Sequence, residues 1–382
     1  MNNYYVILTG SKNNAGDFLI KHRAKALFAS LRPDREVVDL DGWKPLDDSQ
    51  LQLINGAKAL ILTGGPAVQP RMYPGIYPLR PNLEEIQVPM TGLGLGWKSM
   101  RGAWTDTYDY PLSDDSLRLL KKMDSSGLTI SVRDYQTLNA LNFKGVGNVS
   151  MTGCPAYYDL AKLAADVIWP EDVRRVAFSL GVAFVRSPGM ERLMKEQILR
   201  IRHKYPEAHL TAVFHHSLNP ELFRSTHGAH EQHNRRHNEF ARWLLSEGID
   251  YVDISGAAEK LIELYSSVDL HVGYRVHAHI FMTSIGKPSL LISEDGRAKG
   301  VQSAVGGMIV DGYSDFRGSL VAKALNRLSS QFDIYRTNDC STQEMLHQLQ
   351  YEEANCGQRL RAARRALNVN YERMTAFFAQ LP

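Results

Sequence analysis

Cysteine is scarce. The 382 residues hold three, Cys154, Cys340 and Cys356, and their separation offers neither metal-ligand spacing nor a disulfide framework. A reducing, cytoplasmic setting is therefore expected. A concentrated basic stripe is also missing. The net charge is +3, with lysine and arginine scattered along the chain, so no nucleic-acid partner is expected. No stretch approaches the roughly 18 apolar residues of a membrane span, which leaves only peripheral membrane contact. The basic tail RLRAARRALNVNYER reads as a solvated helix face. Solenoid repeats and low-complexity segments are absent. The opening run MNNYYVILTG has no basic leader and no small-residue cleavage site, and reads as a first strand.

What is present is an ordinary globular composition. Apolar residues make up 44% and charged residues 22%, which excludes disorder as the default. The length suits two domains better than one. YYVILTG, KALILTGG, VPMTGLGLG, LTISVRD and VSMTGCPAY read as strands, with helical periodicity between several of them. The pattern resets around Pro170, and a second series runs through RRVAFSLGVAF, HLTAVFHHS, DYVDIS, DLHVG and KPSLLIS. Strands alternating with helices predict parallel sheets covered on both faces. The expected architecture is α/β, with an N-terminal domain over 1–168, a second over 169–340 and closing helices over 341–382. Two such domains enclose a cleft, and ligands bind beyond the carboxyl ends of parallel strands.

The strand ends therefore carry the candidate residues. After the first strand, Asn14 and Asp17 open a helix, and Asp17 is the expected N-cap. The turn lacks both the Walker G-K-[ST] ending and GxGxxG, so neither a P-loop nor a dinucleotide site is supported. Gly64 and Gly65 close the second apolar run, where their N–H groups could meet an anion or a sugar hydroxyl. Arg133 and Asp134 follow the fourth. Asp134 is placed to cap a helix, and Arg133 either faces the cleft or pairs with it. Arg186 sits before Pro188-Gly189, a position suited to bidentate recognition of carboxylate or phosphate. One of His215 and His216 is expected to face the cleft. The four histidines of HGAHEQHNRRH (227–237) have spacings that could gather metal ligands, but they match no metal signature, and an exposed loop or helix start is the better reading. EDGRAKG (294–300) reads as a polar loop. Gly273 ends a strand, and a helix follows through Ile285. Arg275 and His277 fall in its first turn, where a cation opposes the helix dipole. Capping does not explain Arg275; an anionic ligand would. His279 lies on another face and packs or caps locally.

These motifs together resemble the polysaccharide pyruvyl transferases. NNAGD (13–17) is similar to the family's Asn-x-Gly-Asp turn, and LTGGP (62–66) to its Gly-rich strand end. SVRDYQTLNAL (131–141) resembles its Arg-Asp motif, followed by TGCPA (152–156), where Cys154 stands at a position commonly Asp in the family. GYRVHAHIFMTSIGKPSLLI (273–292) resembles its Arg-x-His-Ala signature, and RAKG (297–300) falls where a Lys-bearing loop is expected. The resemblance implies a fold like the GT-B glycosyltransferases, with the donor on the C-terminal domain. It implies phosphoenolpyruvate as co-substrate, no other cofactor, no metal, and a saccharide acceptor, free or lipid-linked. On that basis Arg275 and Arg186 clamp the donor's anionic groups, with Gly273, Lys299 and His216 beside them, and His277 is the general acid/base. Asn14, Asp17, Gly65 and Arg133 are the acceptor-side candidates. One alternative is a GT-B glycosyltransferase with a nucleotide-sugar donor, in which SEDG (293–296) supplies the acid for a ribose. Another is a non-catalytic protein that keeps the fold.

Overall fold

The protein is described here from a computed structural model covering residues 3–10, 14–167, 169–222, 231–317, 321, 324–325 and 333–382, with only the backbone of 231–233. The first half runs β1 (Tyr4–Thr9), α1 (Ala15–Leu31), β2 (Glu36–Asp41), α2 (Asp48–Asn55), β3 (Leu60–Thr63), β4 (Met90–Leu93), α3 (Asp114–Ser125), β5 (Ile130–Val132), α4 (Tyr135–Phe143) and β6 (Val149–Met151). The four strands β2-β1-β3-β4 form one parallel sheet. The parallel pair β5-β6 extends it through a bridge between Leu95 and Val132. The interior strands are apolar along their whole length because both faces are covered; Tyr5 to Leu8 and Leu60 to Leu62 are fully buried.

A second series follows: β7 (Arg175–Ser179), α5 (Pro188–Lys204), β8 (His209–Phe214), α6 (Glu231–Ser246), β9 (Asp250–Asp253) and α7 (Ala258–Ser267). It continues with β10 (Leu270–Gly273), α8 (Val276–Ser284), β11 (Ser289–Ser293), α9 (Arg297–Ala304) and β12 (Met308–Asp311). Its six strands are parallel in the order β12-β11-β10-β7-β8-β9. A small antiparallel pair, β13 (Tyr313–Phe316) and β14 (Tyr335–Thr337), leads to α10 (Ser341–Ala354) and α11 (Gln358–Ala379). The second sheet reverses direction between β7 and β10, and the first between β1 and β3. These are the switch points where such sheets open a crevice at their carboxyl ends.

Two elements differ from the sequence reading, and the closing helices are as expected. EVVDLD is a strand, β2, although its half-exposed alternation of apolar and acidic residues gives a weak signal. EDGRAKG is not a loop throughout: α9 begins at Arg297. The closing region is two helices, and the second returns to the first sheet. There the Phe378 ring meets Phe28 at 4.8 Å, and Tyr5 donates its hydroxyl proton to the Pro382 carbonyl at 2.6 Å.

Helix α8 is buried along its entire length, since it lies between the sheets rather than on the surface of one. Its last carbonyls are held by a buried arginine. Arg364 donates to Ser284 O at 2.7 Å and to Leu163 O at 2.9 Å, an arrangement that also suits the negative end of the helix dipole. No helix among the described residues is long and apolar enough to cross a membrane.

Candidate active site

The two switch points face each other, and the contact between them is between Gly16 and His277. A β-carbon built on Gly16 would lie 1.9 Å from His277 Nδ1. Only glycine lets the start of α1 meet the start of α8 this closely. Three further glycines do the same around the site. Added β-carbons would fall 2.0 Å from Arg133 Nε at Gly96 and 2.8 Å from Asp134 Oδ2 at Gly300. At Gly296 one would fall 2.6 Å from Gly102 Cα.

On the first sheet, Asn14 is the N-cap of α1, in place of the expected Asp17. Its Oδ1 accepts the Gly16 N–H at 3.1 Å, and its Nδ2 donates to Asp17 Oδ2 at 3.2 Å. Asp17 is in the first turn, and its Oδ1 is buried without a hydrogen-bond partner. Burial raises its carboxyl above the ordinary value, opposed by the charges of Arg297, Arg133 and Arg275. Gly64 does not offer its N–H to a ligand, because it donates to Leu93 O at 2.8 Å. Gly65 has φ +73°, and its absent side chain leaves room toward Asp17 Oδ1. Asp134 caps α4, as its position suggested: Oδ1 accepts from Thr137 N at 2.7 Å and Oγ1 at 2.6 Å. Arg133 is buried, donates to Asp134 Oδ2 at 3.4 Å through Nε, and keeps Nη1 without a partner.

On the second sheet, Gly273 has φ +141° and presses on Ser179, 2.3 Å from Ser179 O to an added β-carbon. Its role here is to let β10 and β7 close on each other. Arg275 is at the N-cap position of α8, one residue before the first turn, and makes no side-chain cap. Its own N–H donates to Ser179 Oγ at 3.0 Å. That hydroxyl contacts His271 Nε2 at 2.7 Å, His271 Nδ1 contacts Ser289 Oγ at 2.7 Å, and Ser289 Oγ contacts His279 Nδ1 at 2.8 Å. His279 is therefore a buried member of the chain that fixes the base of α8. The Arg275 guanidinium is buried, and among the described residues it has no carboxylate close enough for an ion pair. Burial disfavours its charge, with Glu294 the first group that opposes this.

His277 is buried with Nε2 unpartnered. Burial first, then Arg133, Arg297 and Arg275, holds its pKa well below the usual imidazole value. At neutral pH it is uncharged, and so starts as a base rather than as an equal choice of acid or base.

The sequence reading missed several members of this cluster. Arg297 opens α9, and its Nη2 contacts Asp295 Oδ2 at 2.7 Å. Glu294 is buried, and its Oε2 accepts the N–H groups of Val182 at 2.6 Å and Ala183 at 2.9 Å. Asp295 and Glu294 Oε2 are therefore engaged within the protein, while Glu294 Oε1 is buried without a hydrogen-bond partner, so the acid suggested for a ribose keeps one open acceptor. Lys98, after β4, is pushed below the usual ammonium value by desolvation and then by Arg297. The signal available was the density of charge in EDGR, directly past the strand SLLIS with its apolar centre.

Other candidates fall elsewhere. Lys299 holds Asp311 at 2.7 Å, while Arg297 two residues earlier joins the cluster. Arg186 is exposed after β7, and its charge reaches Lys98. Of the histidine pair, His215 is buried against the Tyr265 hydroxyl at 2.7 Å, and burial first, then Arg275, holds its pKa well below the usual imidazole value; His216 beside it is half-buried. In the histidine-rich stretch, His227 and His230 and the side chain of His233 lie outside the described residues. His237 departs from the exposed reading, since its ring is buried against Phe184 at 5.1 Å and Phe214 at 6.1 Å. Among the described residues no group of histidine, cysteine and carboxylate side chains has metal-ligand geometry.

The family profile of the polysaccharide pyruvyl transferases matches residues 14–296, from the Asn14 cap to the end of the Glu294–Gly296 turn. The chain belongs to this family. No curated protein sequence matches it. Solved structures similar to it include Staphylococcus aureus MnaA with UDP, at 13% identity and TM-score 0.51 over 98% of this chain and 95% of that one. Another is the UDP-GlcNAc 2-epimerase of Neisseria meningitidis bound to UDP-GlcNAc, at 11% identity and TM-score 0.50 over 100% of both chains. At this identity the likeness carries the GT-B-like fold and nothing more.

Proposed function

We propose that the protein transfers pyruvate from phosphoenolpyruvate to two hydroxyls of a saccharide, forming a ketal. The observation that carries this reading is Arg275. A buried, unpaired guanidinium is costly, so a site that keeps one calls for an anion. With the charges of Arg133 and Arg297 also reaching His277, the pocket suits a small ligand that bears both a carboxylate and a phosphate. The uncapped start of α8 adds partial positive charge at the same place.

In this scheme His277 Nε2 takes the proton of the first attacking hydroxyl as its oxygen bonds to the central carbon of the enol phosphate. The imidazolium then delivers that proton to the methylene carbon, which becomes a methyl group, and His277 returns to its neutral form. Phosphate then leaves with its bonding electron pair, and the second hydroxyl adds to the same carbon, its proton passing to the phosphate. Arg275, Arg297 and Arg133 stabilise charge on the carboxylate and on the departing phosphate. The scheme calls on phosphoenolpyruvate as co-substrate and on no further cofactor. We place the reaction in the cytoplasm, in keeping with three free cysteines, with peripheral contact as the only membrane association.

Thermal unfolding with phosphoenolpyruvate tests the reading, because a ligand that binds only the folded state raises the midpoint. The midpoint is expected to rise with phosphoenolpyruvate, and the rise to vanish in Arg275→Ala. A rise with UDP-sugars and none with phosphoenolpyruvate would make the protein a nucleotide-sugar enzyme.

A further inference from the structure

A cavity of about 190 Å³ opens beside Asp17, at the switch point of the first sheet, walled by Thr63, Gly64, Gly65, Ile76 and Tyr77. We propose that it holds one sugar ring of the acceptor, with Asp17 Oδ1 and Thr63 Oγ1 accepting hydrogen bonds from ring hydroxyls. The proposal rests on the saccharide acceptor of the preceding section and assigns it a place and a size.

Two buried polar atoms point to a ligand here. Thr63 is 3% exposed, and its hydroxyl has no hydrogen-bond partner; neither has Asp17 Oδ1. Buried polar groups are otherwise paired, and each orphan costs free energy, so two on the wall of one cavity indicate partners that arrive from outside. The chemistry of the wall narrows what arrives. Asp17 repels an anion, and Lys21, which also borders the cavity, is held by Asp39. The Tyr77 hydroxyl is engaged with Thr63 O at 3.3 Å and its ring is fully buried behind the wall, so the half-buried Ile76 supplies apolar surface there. Hydroxyl-reading acceptors beside an apolar wall fit a neutral ligand with a polar edge and a C–H face, as a pyranose has. At about 190 Å³ the cavity exceeds the roughly 150 Å³ of one that takes up benzene, and so has room for a sugar ring. Asp17 also borders the arginine cluster through the Coulombic reach of Arg297, Arg133 and Arg275.

The test is saturation-transfer NMR on the full chain with methyl glycosides of glucose, galactose and mannose, and with uridine as control. At least one glycoside is expected to receive saturation, and uridine none. Thr63→Val keeps the shape and removes the orphaned hydroxyl, so its thermal midpoint is expected to stay or rise while glycoside binding weakens by about fivefold, the worth of one hydrogen bond. The midpoint rise with phosphoenolpyruvate is expected to persist in this variant. Unchanged glycoside binding in Thr63→Val, or saturation of uridine alone, would overturn the assignment. Glycoside binding lost in Thr63→Val, with no response to phosphoenolpyruvate in the wild type, would keep the sugar site and remove the donor reading instead. A wild type that answers neither ligand would remove both.

Discussion

Helices α1 and α8 start at matching places, each just past a strand that flanks a switch point, yet their first turns are built in opposite ways. Helix α1 is closed by its own chain: Asn14 caps Gly16, and Asp17 puts a negative side chain at the positive end of the dipole. Helix α8 carries no side-chain cap, and Arg275 at its N-cap position adds positive charge to an end that is already positive. One terminus is satisfied internally, and the other is left wanting an anion. The difference teaches that a switch point alone does not make an anion site. The same backbone arrangement serves the fold on one side of the cleft and offers binding energy on the other.

The sharpest way to break this comparison is His277→Ala. It removes the base from the α8 side without altering α1, and turnover is expected to fall by at least about 10². Near-normal turnover would end the assignment. The pH profile adds a sign. Because the folded environment depresses the imidazole below 6.5, its basic form is present through neutrality. That form is lost only as pH falls through the depressed value. The acid limb of kcat/KM, which reports the free enzyme, is thus expected well below pH 6.5, and a limb at or above 6.5 would contradict a buried, neutral His277.

Much of this asymmetry was legible in the sequence, and the reasons are local. Gly273 ending an apolar run, with Arg275 and His277 at the start of a helix, is a pattern within five residues, and the structure keeps it. Asn14 and Asp17 were seen, but the cap was given to the wrong one, since both are good capping residues and only the backbone distinguishes them. Arg297 was passed over because α9 is a short helix with Gly296 at its cap and Gly300 inside it, which reads as a loop to any propensity argument. The unpaired state of Arg275 could not be read at all. It depends on Glu294 being taken up by the Val182 and Ala183 N–H groups, from a loop more than a hundred positions earlier. Charge inventories come from the sequence, whereas charge pairing comes from the fold.

A second variant sharpens the comparison from the α1 side. On an exposed helix Gly→Ala is stabilising by up to about 1 kcal/mol. At Gly16 the added methyl would meet His277 Nδ1, and overpacking of this kind typically costs about 1–3 kcal/mol. Gly16→Ala is therefore expected to lower stability in chemical denaturation and to lower kcat as well, because the imidazole must shift. A stabilised, fully active Gly16→Ala would mean that the two helix starts do not meet as described.

The smallest effect separates the capped terminus from the uncapped one. Asn14→Ala removes the side-chain acceptor for Gly16 N–H and the donor to Asp17 Oδ2, and loss of such a cap costs about 1 kcal/mol. Denaturant midpoints are expected to fall accordingly, while the midpoint rise with phosphoenolpyruvate stays, because the donor's charge is met at α8 and not at α1. The two variants Asn14→Ala and Arg275→Ala thus form a crossed pair. The first is expected to lose stability and keep the response to phosphoenolpyruvate, and the second to lose the response. An Asn14→Ala protein of normal stability that no longer responds would place the anion at α1 after all, and the opposite construction of the two termini would then have no bearing on which of them binds it.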